Sequence, residues 1–233
     1  KNRKIKVDEN RLGWYYQQVL KLSFLLEESK IRPTTMIDAD TILIKKLDFI
    51  SNDRSKLFGT YYERHKPYWE TLNTIFDYKI PFKSWVSTTC QINSLTPIEN
   101  KALITILKEY IPRTNNISTP EWIANIIVTS VVWTHNKLDG CYFSEQDFIG
   151  YFLRYYFGTI PKKMLFLRSK VSYKLSNNQE KIASLIGFIH VTYEHWQIKN
   201  KNKSLPWINF IFILLLNLLL PYFKKLKLFL WEN

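Results

Sequence analysis

Two carboxylates, Asp38 and Asp40, interrupt the otherwise β-branched and apolar run TTMIDADTILI over residues 34–44. Charges in such surroundings are costly unless a cation or hydrogen bonds compensate them. The run therefore predicts a buried strand that ends in an acidic loop, with both acids at the strand's C-terminal edge. A break at Arg32-Pro33 precedes it. Before the break, Leu12, Tyr15, Tyr16, Val19, Leu20, Phe24 and Leu25 recur at helical spacing, which predicts an amphipathic helix over residues 11–29.

The remaining chain alternates in the same way. KLFGTY (56–61) and WVSTTCQIN (85–93) are strand candidates, with a helical pattern in PYWETLNTIFDY between them. Thr96-Pro97-Ile98-Glu99 combines a capping hydroxyl, a proline at the first helical position and a glutamate three residues after the cap, which predicts a helix to about Tyr110. Thr119-Pro120 opens another through about Trp133, and Ser144-Glu145-Gln146-Asp147 a third through about Tyr156. Beyond Pro161 the pattern weakens, with KMLFLR and SLIGFIHV as strand candidates, and no internal repeat is present. Alternating helices and strands imply an α/β layer fold.

A chain of 233 residues, 46% hydrophobic, can bury one substantial core. Its formal net charge of +13 favours anionic partners such as acidic lipid, nucleic acid or a nucleotide diphosphate. Cys90 and Cys141 have no CxxC spacing, so neither a zinc site nor a disulfide framework is indicated. The first residues, KNRKIKVDEN, lack the apolar stretch of a secretory signal. After a Lys/Asn-rich linker at 199–203, residues 207–220 read WINFIFILLLNLLL, shorter than the roughly 20 apolar residues of a spanning helix. Lysines flank this run, as in a helix lying among lipid headgroups, although a buried core or oligomer helix fits the same residues. The expected organisation is a catalytic domain over 1–198 and a membrane-associating tail over 199–233. Because the basic residues are scattered and densest around the tail, an anionic membrane surface is favoured over nucleic acid.

The acid pair carries the clearest chemistry. Hard Mg²⁺ or Mn²⁺ takes carboxylate and phosphate oxygens together, so Asp38 and Asp40 can grip a nucleotide diphosphate through the metal. An acidic turn without a ligand is the plain alternative. Lys21, on the preceding helix with Gln17 and Gln18, can reach a diphosphate oxygen as a point charge, or all three can form a solvated face. Glu145 is a candidate general base for an acceptor hydroxyl, and Asp147 competes for that role. The same residues also suit helix capping, with Ser144 at the cap and Asp147 at the third position.

Three blocks, GWYYQQVLKL (13–22), MIDADTILIKKLDF (36–49) and FSEQDFIGYFL (143–153), resemble in that order an uncharacterised bacterial family of GT-A-type glycosyltransferases found among surface-polysaccharide genes. The resemblance covers roughly residues 10–160. It implies a GT-A-like, Rossmann-like nucleotide-diphospho-sugar transferase fold, with Mn²⁺ or Mg²⁺ as cofactor. Asp40 would be the direct metal ligand and Asp38 its partner. His190, in GFIHVTY, would complete the metal site, although a lone histidine on an apolar strand also suits a core. His65 and Tyr68 would line the acceptor pocket. Family domains place a nucleotide-binding half before the acidic strand, whereas only residues 1–37 precede Asp38, so the domain is expected to be incomplete at its N-terminus.

The function implied is transfer of a sugar from a nucleotide-sugar donor to a glycan or lipid-linked acceptor at the cytoplasmic face of a membrane. Two other classes compete. A haloacid-dehalogenase-type phosphotransferase also places DxD after a strand, but wants Thr where Ile42 stands. A non-enzymatic basic membrane-associated protein would use the lysines and aromatic residues alone.

Overall fold

Asp8 starts the first long helix by accepting the Asn10 amide on its side chain at 3.0 Å, satisfying one of the donors that every helix N-terminus leaves open. The computed structural model describes residues 6–38, 41–56, 58–60, 65–76, 89–159, 162–163, 165–169, 175–186, 188–193, 207–211 and 214–215. In chain order the first elements are β1 (Lys6–Val7), α1 (Glu9–Glu28), β2 (Thr34–Ile37), β3 (Thr41–Leu43), β4 (Ile50–Ser51), β5 (Arg54–Ser55), β6 (Phe58–Thr60), α2 (Lys66–Ile75) and β7 (Thr89–Leu95). There follow α3 (Pro97–Tyr110), α4 (Thr119–His135), β8 (Lys137–Leu138), α5 (Glu145–Phe157), β9 (Lys162–Lys163), β10 (Leu165–Ser169), α6 (Asn177–Ile186) and β11 (Phe188–Tyr193). The fold is thus mixed α and β.

The chain divides into two compact units that interleave in sequence. The first comprises residues 1–36, 49–59 and 63–162, and the second residues 37–48, 60–62 and 163–233. The expected domain boundary at 198/199 and the linker at 199–203 lie outside the described residues.

Helices dominate the first unit. α1 lies on α4 and α5, α2 on α4, and α5 against β7 of a four-stranded sheet ordered β2-β7-β6-β9. The buried face of α1 carries Tyr15, Gln18, Val19, Leu22, Leu25 and Leu26 at three- and four-residue spacing. Around them pack Leu72, Leu107, Trp122, Ile126, Phe148 and Phe152, all at most 1% exposed. The start signals in the sequence correspond to real caps. Thr96 and Glu99 form a reciprocal capping box, and the Glu99 carboxylate also accepts from the backbone amide and hydroxyl of Ser55. For α4 the cap is Ser118, one residue before the expected Thr119, whose hydroxyl instead donates to Glu27 of α1. Asn136 and Gly158, with φ of 56° and 62°, end α4 and α5 in the left-handed conformation those residue types tolerate best.

The second unit contains a three-stranded sheet ordered β10-β11-β3, parallel between β10 and β11 and antiparallel between β11 and β3, with α6 packed on β11. Two expectations change here. TTMIDADTILI has its expected strand ending just before Asp38, but that strand is half-buried rather than buried, and the residues after the acids start a second one. β2 and β3 are separate strands in different sheets, and the Thr41 amide donates to the Asp38 carbonyl at 3.0 Å across the interval between them. SLIGFIHV is not a single strand, because Ser184–Ile186 finish α6 and only Phe188 onward is extended. Asn177–Ile186 went unrecognised as a helix because its ten residues include two asparagines and only a short apolar face. Among the described residues no helix is long and apolar enough to cross a membrane, and residues 207–211 form a short helical segment.

Candidate active site

Two of the three sequence blocks meet in the first unit. Ser144 caps α5, its hydroxyl accepting the Asp147 amide at 3.2 Å. Glu145 is then the first helical residue, and its backbone N–H donates to the side-chain carbonyl of Gln18 on α1 at 2.9 Å. Its carboxylate pairs with the Lys21 ammonium at 3.0 Å. Gln18 and Lys21 stand three residues apart, so both reach the same end of α5 from one side of α1. The Glu145 side chain is 4% exposed and the Lys21 side chain 20%.

Beside this junction stands an aromatic group. The Tyr15 hydroxyl donates to the Gly140 carbonyl at 2.8 Å. Trp14 lies nearly parallel to Tyr68 with ring centres 6.4 Å apart, and the His65 ring meets Tyr68 edge-on at 4.3 Å. His65 Nε2 lies 2.9 Å from the Cys141 carbonyl, a contact that requires the proton on Nε2 because a carbonyl only accepts. Burial raises the Tyr68 phenol well above its ordinary pKa, and the nearby Cys141, Asp147 and Glu145 charges add to the rise. Tyr15 is raised as well, again chiefly by burial. Both phenols therefore stay protonated hydrogen-bond donors at neutral pH.

Several candidates thus gather at one place: Lys21, Glu145, Asp147, His65 and Tyr68. Gln17 does not join them, since it is exposed on the other side of α1 and the inward amide is that of Gln18. The sequence held a signal for that choice. Gln18 falls on the apolar stripe of Tyr15, Val19, Leu22 and Leu26, where a polar side chain needs a buried partner. Lys21 directs its charge to Glu145, at 3.0 Å from the carboxylate.

The acidic motif belongs to the second unit. Asp38 is half-buried just beyond β2, while Asp40 lies outside the described residues. β3 begins at Thr41 and pairs with β11 so that Leu43 faces His190 across the ladder, Ile42 faces Val191 and Thr41 faces Thr192. The backbone of His190 is therefore on the strand next to the one that leaves the acid pair. Among the described residues no three His, Cys, Asp or Glu side chains form a metal-ligating group, and neither Asp40 nor the His190 side chain is among those described. Carboxylate oxygens suit Mn²⁺ or Mg²⁺, whereas an imidazole is a softer donor than either ion ordinarily takes. Compared with known protein families, curated proteins and solved structures, the chain has no significant match.

Proposed function

We propose that the chain is the catalytic part of a metal-dependent glycosyltransferase of GT-A type, working at the cytoplasmic face of a membrane. It would use a nucleotide-sugar donor and a glycan or lipid-linked acceptor. The observation that supports this reading most is the junction of GWYYQQVLKL with FSEQDFIGYFL through Gln18, Lys21 and Glu145. The residues that carry the family resemblance are thereby the ones that hold two carboxylates at the start of α5.

Asp38 and Asp40, with His190 from the neighbouring strand, would hold Mn²⁺ or Mg²⁺. When bound, the ion supplies positive charge to the diphosphate oxygens of the donor. In an inverting transfer, Glu145 or Asp147 would take the proton from the acceptor hydroxyl as that oxygen attacks the anomeric carbon and the bond to the diphosphate breaks. Between the two, Glu145 is tied to Lys21 at 3.0 Å, which fixes where its carboxylate stands. Tyr68 and His65 would bind the acceptor through a ring face and a polar edge, as aromatic side chains with polar tips do. The basic apolar segment over 199–233 would attach the enzyme to anionic lipid.

Calorimetric titration of UDP and of GDP, with and without Mn²⁺, tests the donor site in the native chain and in the Asp38→Ala/Asp40→Ala variant. Metal-dependent binding lost in a folded variant supports the reading. Binding of neither nucleotide, or equal binding by the variant, overturns the metal-held diphosphate.

A further inference from the structure

The inward face of α1 is used up by the core and the junction with α5, but its outward face is apolar too. Leu12, Tyr16, Leu20 and Phe24 follow one another at four-residue spacing and are 48%, 64%, 44% and 64% exposed. They form a continuous stripe about 18 Å long at the helical rise per residue. Single exposed apolar residues are ordinary, whereas a contiguous row of four marks an interaction surface.

We propose that this outward face of α1 is a lipid-contacting surface that lies on an anionic membrane. From Asn10 to Leu26 the helix has no carboxylate, and of the four acids at its ends three are engaged locally, Asp8 as the cap, Glu27 with Lys30 and Glu28 with Arg32, while Glu9 stands before the stripe begins. The stripe therefore presents no negative charge along its length, on a chain whose net charge of +13 draws it to acidic headgroups. Tyr16 and Phe24 are rings of the kind that settle at the headgroup boundary.

A second copy of the chain fits less well. Four half-exposed side chains offer roughly 400–500 Å², well short of the about 800 Å² per partner of a standard interface. Antiparallel pairing on a two-fold axis, with Leu12 against Phe24 of the other copy, would also set Glu9 against Glu27. A lipid surface needs neither a matching shape nor that area. The inference rests on the outward face of α1 and on the net charge of the chain, apart from any enzymatic reading.

The test places an environment-sensitive fluorophore on the full chain at Leu20→Cys in a Cys90→Ser/Cys141→Ser background, with a control label at Lys108→Cys on α3. Phosphatidylglycerol vesicles at low salt should shift the emission at position 20 to the blue and leave position 108 unmoved. Adding Tyr16→Ser/Phe24→Ser should abolish the shift. The inference is overturned if the chain fails to bind these vesicles, or if it binds while the label at position 20 does not respond. A blue shift that grows with protein concentration without vesicles also overturns it, assigning the stripe to self-association.

Discussion

Lys21 and Glu145 lie 124 residues apart in sequence and 3.0 Å apart in space, an ion pair across the contact of α1 and α5. With only 4% of its side chain exposed, Glu145 has lost nearly all its water, and Lys21 together with the Gln18 contact to its backbone fixes the start of α5. Removing one member of such a pair takes away a close compensating charge from a buried one, whereas replacing both with apolar groups removes the desolvation cost as well. Lys21→Met should therefore lower stability by about 3 kcal/mol in urea denaturation, and Lys21→Met/Glu145→Leu should recover most of that loss. A double variant as unstable as the single one would mean that the pair contributes no more than packing.

The two carboxylates on α5 can be separated by function. Glu145→Gln keeps the size of the side chain and the bond its backbone N–H donates to Gln18, and Asp147→Asn keeps the Ser144 cap. Whichever residue is the base should lose roughly 10²- to 10⁴-fold in turnover, with little change in donor binding. The other variant should retain activity within a few-fold. Equal activity in both variants would remove general-base catalysis from α5.

The helices were legible where local chemistry declares itself. Thr96-Pro97-Ile98-Glu99 and Ser144-Glu145-Gln146-Asp147 carry capping residues at fixed offsets, and the structure uses them as caps. The strands were less legible, because pairing depends on distant segments. Nothing local in TTMIDADTILI says that Met36 and Ile42 belong to different sheets, a division that follows from their pairing with β7 and β11 respectively. At the site, the residue types were readable but the orientation was not. Gln17 and Gln18 differ only by a helical turn of about 100° per residue, and the whole apolar stripe of α1 decides which of them turns inward.

Tyr15, Tyr68 and Tyr110 share one alkaline signature. Burial raises all three phenols above their ordinary value of about 10, so the folded state favours the protonated form. Their contribution is fully present below that value and is lost as pH rises from it toward the folded-state pKa. Ultraviolet titration of the 14 tyrosines should show these three ionising only as the protein unfolds, and Tyr68→Phe should remove one phenol from that late step. Simple titration of every tyrosine near pH 10 would show that the rings are open to water.

His135 gives a signature on the acid side. It stands at the end of α4, where Nε2 lies 3.0 Å from the Thr71 hydroxyl and 3.2 Å from the Pro67 carbonyl of α2, and its ring stacks on Tyr142. Burial lowers its pKa. The Pro67 carbonyl and the Glu70 carboxylate, 4.0 Å from Nδ1, oppose that shift, while Lys137 and His65 add to it. A depressed histidine is neutral in both states above the unfolded value of about 6.5, so its contribution is complete there. As pH falls below that value the unfolded chain takes up the proton first, and stability declines until the folded-state pKa is passed. Thermal unfolding should therefore weaken between pH 7 and pH 5, and His135→Gln should flatten this part of the profile. Glu70→Gln should steepen it, because the carboxylate is the charge that favours a protonated ring. A Glu70→Gln profile no steeper than that of the native chain would show that Glu70 is not acting on His135, and would leave the Pro67 carbonyl as the one group opposing burial, Lys137 and His65.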